Sequence, residues 1–455
     1  MSGMSLDLMM FFLFLAGLFY FGLRKSKKVA SEEGYLLADR NTSLFSLTAT
    51  LVMTELNTAT LLAFSSLGYL AGGWAMRLPC IFLIGLLFYA LTVAKKWKEF
   101  DRTSVASFFS ERYGKGIGIF ASIALLLGMV GFSAAYVQSI YLLFTPIFPN
   151  LSPWLLSGVL VATVLVLVVR GGLISIIRTD VFTFLIAIVF FPLMAYFSYR
   201  SSFGEATLSE NPQLVLPFKF VLSLIVLTMF TYILAPWYGQ KIFAARSKKV
   251  AYLSVIFSAV IVFLLYGMGV MTTWFFRENG GVAPSSEQAL PFAISATLPV
   301  GLRGLGYGIL FAASATTLTG VWSAMSSLVI GDFFSNSENK GPRRGVTLTI
   351  LFALTSFFLA NLLVDKVFDK LILANIPVAA LSFALLGGFY WKKASSAGAY
   401  VSMIVGWGWA LFCYFYYGVE GGYIWYWAMG GIPAVFITGA LSSILFPNKS
   451  IVYYY

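Results

Sequence analysis

Long apolar runs separated by short polar clusters set the pattern of this chain. Runs such as 119–130, 154–169 and 181–199 hold almost nothing but hydrophobic residues. A helix needs about 20 such residues to cross a hydrocarbon layer of about 30 Å. Segments of this kind recur at about 6–23, 43–69, 76–94, 117–148, 153–169, 174–199, 217–236, 250–276, 304–330, 344–364, 368–389, 397–417 and 425–445, which predicts thirteen membrane-spanning helices. The longest intervening stretches, 201–216 and 277–303, are too short for a soluble domain. The reading is an all-α polytopic membrane protein whose chemistry lies in or beside the bilayer.

Composition sharpens this. Of 455 residues, 59% are hydrophobic and 11% charged, and the mean hydropathy is +0.87, which excludes a soluble enzyme. The chain has no histidine, so histidine-ligated haem, histidine-bound zinc and histidine proton relays are excluded. Cys80 and Cys413 lie in or beside apolar segments with no partner at motif spacing and read as small core residues.

The net charge of +12 does not point to nucleic acid, because the basic residues are scattered through interhelical loops. The run at 8–23 has no basic residue before it and Arg24, Lys25, Lys27 and Lys28 after it, the reverse of a secretory signal. With the N-terminus outside and the C-terminus inside, 23 of the 30 Lys and Arg residues face the cytoplasm. Only Arg77, Arg200, Lys219, Arg277, Arg303, Lys366 and Lys370 face outward. Glu32, Glu33, Asp39, Glu99 and Asp101 are mixed among the inward cations, as on locally paired, solvated surfaces. Tyr453, Tyr454 and Tyr455 form an interfacial aromatic anchor, and a cell-membrane location is expected.

Polar residues inside the spans carry the candidate chemistry. Segment 43–69 includes Thr48, Thr50, Thr54, Glu55, Asn57, Thr58 and Thr60, and a carboxylate near the bilayer centre costs roughly 2.5–3.5 kcal/mol or more. It is either a pathway or ion site, or a helix-packing seam of small polar residues. In 304–330, Ala313, Thr316 and Thr317 fall on one helix face, where a carbonyl and two hydroxyls suit a hard cation such as Na⁺. Threonines that bond back to their own helix are the alternative. Asp180, after Gly171-Gly172, pairs with Arg178 or Arg170 as a structural element or a cytoplasmic gate. Segment 217–236 ends Phe230-Thr231-Tyr232-Ile233-Leu234-Ala235-Pro236-Trp237, where proline frees a carbonyl, as in the broken helices of transporter binding sites.

Five patches, in order, resemble the sodium:solute symporter family, which includes sodium-coupled sugar, proline, pantothenate, sialic acid and iodide transporters. They are Tyr35-Leu36-Leu37-Ala38-Asp39-Arg40 leading into Thr54-Glu55-x-Asn57-x-x-Thr60; Gly171-Gly172-Leu173 with Thr179-Asp180; Gln240-Lys241-x-x-x-Ala245-Arg246-Ser247; Ala312-Ala313-x-x-Thr316-Thr317; and Gly387-x-x-Tyr390-Trp391-Lys392-Lys393-Ala394 with Gly398-Ala399. The resemblance implies a LeuT-like five-plus-five inverted repeat with one helix before it and two after it. That gives 1–42 as the first helix and its loop, 43–199 and 217–389 as the two repeats, and 390–455 as two closing helices and a tail. It also implies that the first helix of each repeat is broken.

By the same resemblance, sodium falls on the carbonyls of Met53, Leu56 and Ala313 and the hydroxyls of Thr316 and Thr317. The substrate cavity falls on Asn57, Thr58, Thr60, Thr231 and Tyr232. The chain departs from the family pattern where Thr316 replaces a serine, where Ala59 and Thr60 replace a Glu-Gln pair of the sugar transporters, and at Thr183, Ala235 and Lys241. The expected activity is symport of a small organic solute by alternating access, with sodium as coupling ion and the solute and the bilayer as partners. Nucleic acid, organic cofactors, an obligate protein partner and enzymatic activity are not expected. Two alternatives stay open: proton coupling through Glu55, and an uncoupled conduit or sensor on the same fold.

Overall fold

The structure, a computed structural model, describes residues 2–23, 37–100, 102, 104–169, 172–203, 214–334, 343–419 and 421–448. The expectations at Arg24–Lys28, Glu32, Glu33, Tyr35, Leu36, Asp101, Arg170, Gly171 and Tyr453–Tyr455 lie outside these residues.

Each of the thirteen predicted spans is a helix or a bent pair of helices. In chain order these are α1 (Ser2–Leu23); α2 (Leu44–Glu55) and α3 (Thr58–Ala71); α4 (Pro79–Tyr89), running through a π-turn into α5 (Lys95–Phe100); the short α6 (Ser107–Tyr113); α7 (Lys115–Phe144); α8 (Pro153–Val169); and α9 (Gly172–Arg200). The second half has α10 (Phe218–Tyr232) and α11 (Pro236–Phe243); α12 (Lys248–Glu278); the short α13 (Ala289–Thr297); α14 (Leu302–Phe333); α15 (Arg343–Leu363); α16 (Val367–Ala379) and α17 (Ser382–Tyr390); α18 (Ser396–Tyr417); and α19 (Tyr423–Tyr426), leading through a π-turn into α20 (Ile432–Leu445).

Local chemistry sets many of these starts. Ser43, Asn57, Ser247 and Ser395 cap α2, α3, α12 and α18 by accepting from the N–H three residues on. Pro236 occupies the first position of α11, where its missing N–H costs nothing.

Three spans are bent: α2 to α3 by 59°, α10 to α11 by 47° and α16 to α17 by 40°. The first two are the helices expected to be broken. In the second, the chain continues helical past 236 to Phe243, so Gln240 and Lys241 belong to a buried half-helix and not to a cytoplasmic loop. The third bend follows Pro377, which cannot donate within α16.

Polar groups gather inside and apolar ones face lipid. Every residue of α14 from Gly306 to Leu328 is buried, while Phe12, Leu91, Phe415 and Leu445 are exposed. Small residues let helices meet closely. A Cβ at Gly68 of α3 would stand 2.7 Å from Thr273 Oγ1 and 2.8 Å from the Val270 carbonyl of α12; one at Gly128 of α7 would stand 2.9 Å from the Ala374 carbonyl of α16. At the polar helix ends, Glu99 pairs with Lys96 (3.3 Å) and Lys248 (3.1 Å), and Arg102 with Glu111 (2.9 Å), a local pairing of the kind expected for Glu99.

Candidate functional site

The break between α2 and α3 strips two carbonyls of their helical partners. In an unbroken helix the N–H groups of Asn57 and Thr58 would donate to Met53 and Thr54. Here the Asn57 N–H turns to the Glu55 carbonyl (2.8 Å), and the Thr58 N–H donates to Ser314 Oγ on α14 (2.9 Å). The freed Met53 and Thr54 carbonyls lie 3.2 and 3.1 Å from Thr317 Oγ1, which is also 2.9 Å from the Ala313 carbonyl. Thr316 Oγ1 donates to the same Ala313 carbonyl at 3.1 Å. One hydroxyl proton cannot serve three carbonyls, so this buried, uncharged oxygen cluster keeps spare acceptor capacity, the donor set that a hard monovalent cation requires. Both threonines do bond back to their own helix, yet Thr317 also reaches across to α2. Leu56 is the buried C-cap of α2.

Beside this cluster the two breaks meet. Glu55 ends α2 and is 1% exposed; its Oε2 accepts from the hydroxyl of Tyr232, the last residue of α10, at 2.6 Å. The Glu55 carbonyl accepts from Tyr266 Oη on α12 and from Asn57 Nδ2 (3.0 Å). Glu55 Oε1 is buried without a partner. Asn57 Oδ1 receives the Thr60 N–H at 2.8 Å, and Thr231 Oγ1 reaches the Asn375 carbonyl of α16 at 3.5 Å. Thr58 turns the other way: its hydroxyl bonds Ser314 and, at 2.8 Å, Ser139 of α7. The expected cavity residues thus divide, with Asn57, Thr60 and Tyr232 linked through the coupling candidate Glu55, Thr231 joined to α16, and Thr58 in a hydroxyl seam against α7 and α14.

Asp180 is fully buried on α9, and its ion-pair partner among the described residues is Lys241, whose Nζ lies 3.0 Å from Asp180 Oδ2, in place of the expected Arg178. The continuation of the helix through α11 carries this lysine inward, so it does not belong with the cytoplasmic cations. Lys241 also donates to the Thr50 carbonyl (3.1 Å) and to Thr54 Oγ1, and Thr50 Oγ1 donates to Asp180. Backbone bonds tie the same level: Thr42 N–H to the Ala244 carbonyl (2.9 Å) and Arg246 N–H to the Thr42 carbonyl (3.2 Å). The α2 half of one broken helix and the α11 half of the other are therefore pinned together and to α9.

The sequence did not single out Tyr266, Asn375 or Ser139. Each lies in a strongly apolar run, and its role comes from a partner distant in the chain. Lys241 was visible as a motif position, and its burial was not.

A profile of the sodium:solute symporter family matches residues 35–406. The sodium/pantothenate symporter of Haemophilus influenzae is 23% identical over 446 residues, covering 89% of each chain. Among solved structures, the substrate-bound outward-open state of a Na⁺-coupled sialic acid symporter superposes with a TM-score of 0.81 at 18% identity, covering 98% of this chain and 99% of that one. MhsT in complex with L-phenylalanine gives 0.56 at 14% identity, covering 89% and 99%, and inward-facing Mhp1 gives 0.56 at 13%, covering 92% and 93%. These structures establish the LeuT-type transporter fold. With the family profile spanning most of the chain, the helices apolar enough to cross a membrane and the oxygen-lined break between them belong to a sodium-coupled secondary transporter of a solute, and the chain is a member of the sodium:solute symporter family.

Proposed function

We propose that the coupling sodium binds at the break of the first repeat, on the carbonyls of Met53, Leu56 and Ala313 and the hydroxyls of Thr316 and Thr317. The observation that carries this is the approach of Thr317 to the freed Met53 carbonyl. A small organic solute, of the size class of pantothenate and sialic acid, binds between the two breaks against Asn57, Thr60, Thr231, Tyr232 and Glu55, with Thr58 linking that cavity to α14. The repeats are 43–199 and 217–389, and the chain sits in the cell membrane with its N-terminus outside.

Sodium arriving from outside joins α2 to α14 and so shapes one wall of the solute site. Solute then draws α10 and α16 inward. Release to the cytoplasm requires the inner halves α2 and α11 to part from α9, which makes the Lys241–Asp180 pair the cytoplasmic gate. One charge moving down 100 mV supplies about 2.3 kcal/mol. A tenfold sodium gradient adds about 1.4 kcal/mol.

Thermal unfolding of the purified protein in NaCl and in KCl at equal ionic strength tests the ion site, since binding to the folded state raises stability by mass action. A sodium-specific rise that disappears in Thr317→Ala is expected. Equal stability in both salts at every concentration would overturn the assignment.

A further inference from the structure

Among the described residues only three charged side chains are buried: Glu55, Asp180 and Lys241. Lys241 is committed to Asp180 at 3.0 Å. Glu55 has a single side-chain partner, a neutral phenol, and its Oε1 is buried with none. Its place is the crossing of the two helix breaks, where backbone and side chains converge from α2, α10 and α12.

The walls there are aromatic. Phe82 of α4 packs edge-on against Tyr232 at 5.7 Å and at a tilt against Tyr266 at 5.0 Å. Phe64 closes on both Phe82 (5.8 Å) and Tyr266 (5.3 Å). On the other side Tyr232 meets Trp237 at 6.5 Å, and Trp237 meets Phe132 at 5.2 Å. A carboxyl group with one buried oxygen unpartnered, set among aromatic side chains, selects for a charged donor. Ammonium and guanidinium groups gain a charge-assisted hydrogen bond from the first and quadrupole attraction from the second. A solute presenting a carboxylate at this point would meet like charge at low dielectric.

We propose that the transported solute carries a positively charged nitrogen, an ammonium or guanidinium, which donates to Glu55 Oε1 inside the box formed by Tyr232, Tyr266, Phe82 and Trp237. The oxygens offered to sodium lie on the α14 side of α2, and Glu55 reaches to α10, so the two cations have separate ligands. This assignment rests on the solute site proposed above.

The test uses the full-length protein in detergent and NaCl, with two probe sets that differ only in the head group: phenethylamine, N-acetylphenethylamine and phenylacetate, and butylamine, N-butylacetamide and butyrate. Thermal shift titrations give the affinities. The amine of at least one set is expected to bind roughly tenfold to a hundredfold more tightly than its acetylated form, the range for a hydrogen bond to a charged group, and the carboxylates are expected not to bind. Glu55→Gln should abolish the preference for the amine and keep the sodium response.

If the acetylated or carboxylate probes bind as well as the amines, if no amine binds, or if Glu55→Gln keeps the preference, the assignment is overturned. If Glu55→Gln does not fold, the ranking of the six probes on the wild-type protein decides alone. Loss of the sodium response in the wild type would be a separate failure, that of the ion site, and is read from the same titrations without any probe.

Discussion

Lys241 and Asp180 form an ion pair of 3.0 Å whose side chains are 1% and 0% exposed, joining the inner half of one broken helix to α9. Removing one member leaves an uncompensated buried charge, which costs about 3–5 kcal/mol. Lys241→Met should therefore lower the unfolding midpoint strongly. The double variant Lys241→Met with Asp180→Leu should regain most of that loss, because neither charge then remains to be desolvated. It should not regain coupled uptake if the pair is the gate proposed above. Thermal unfolding and uptake in proteoliposomes read the two effects separately.

Thr316 and Thr317 separate in a sodium titration of the unfolding midpoint. Thr316→Ser keeps the hydroxyl that meets Ala313 and should keep the full sodium response. Thr316→Ala should weaken the response and leave it measurable. Thr317→Ala, which removes the oxygen shared between α14 and α2, should eliminate it. Equal effects of the two alanine substitutions would contradict this ranking.

The tyrosines around Glu55 should also rank. Tyr232→Phe removes the sole side-chain donor to the buried Glu55 carboxyl and should cost about 1–3 kcal/mol, the range for leaving a buried polar group unsatisfied. Tyr266→Phe removes one donor from a carbonyl that keeps two from Asn57, and should cost about 0.5–1.5 kcal/mol. Unfolding midpoints of the two variants, measured in the same detergent, check the order.

Helix packing yields a paired test. Gly68→Ala drives a methyl into Thr273 and the Val270 backbone and should destabilise by about 1–3 kcal/mol. Gly408→Ala on α18 meets open space and should be neutral or stabilising by up to about 1 kcal/mol, as helix propensity dictates. Both variants are read by thermal unfolding.

The helices were legible because a bilayer imposes length and polarity on every span, so that the thirteen apolar runs map one to one onto helices or bent pairs. The two functional breaks left marks as well: the dense hydroxyls and amide from Thr54 to Thr60 in one, and Pro236 in the other. The bend after Pro377 was missed because that proline sits in an otherwise ordinary apolar run. Lys241 was misplaced because charge in a membrane protein is read as a loop marker, and only the continuation of α10 into α11 takes it inside. Tyr266 and Asn375 were invisible because an apolar period says which residues face inward and nothing about which distant residue they meet.

Where α7 passes α16 the helices meet at close range: a methyl at Gly128 would sit 2.6 Å from the Val378 side chain and 2.9 Å from the Ala374 carbonyl. In the transport cycle proposed above, this close crossing would be a fulcrum and α16 a lever resting on it. The 40° bend into α17 uncouples the lever's two arms. On the proposed cycle the arm bearing Asn375 would swing over the solute while α17 stays seated, breaking polar contacts such as Thr231 to Asn375. A door held by such contacts would be either engaged or released, admitting solute in discrete events and not by gradual widening of a channel.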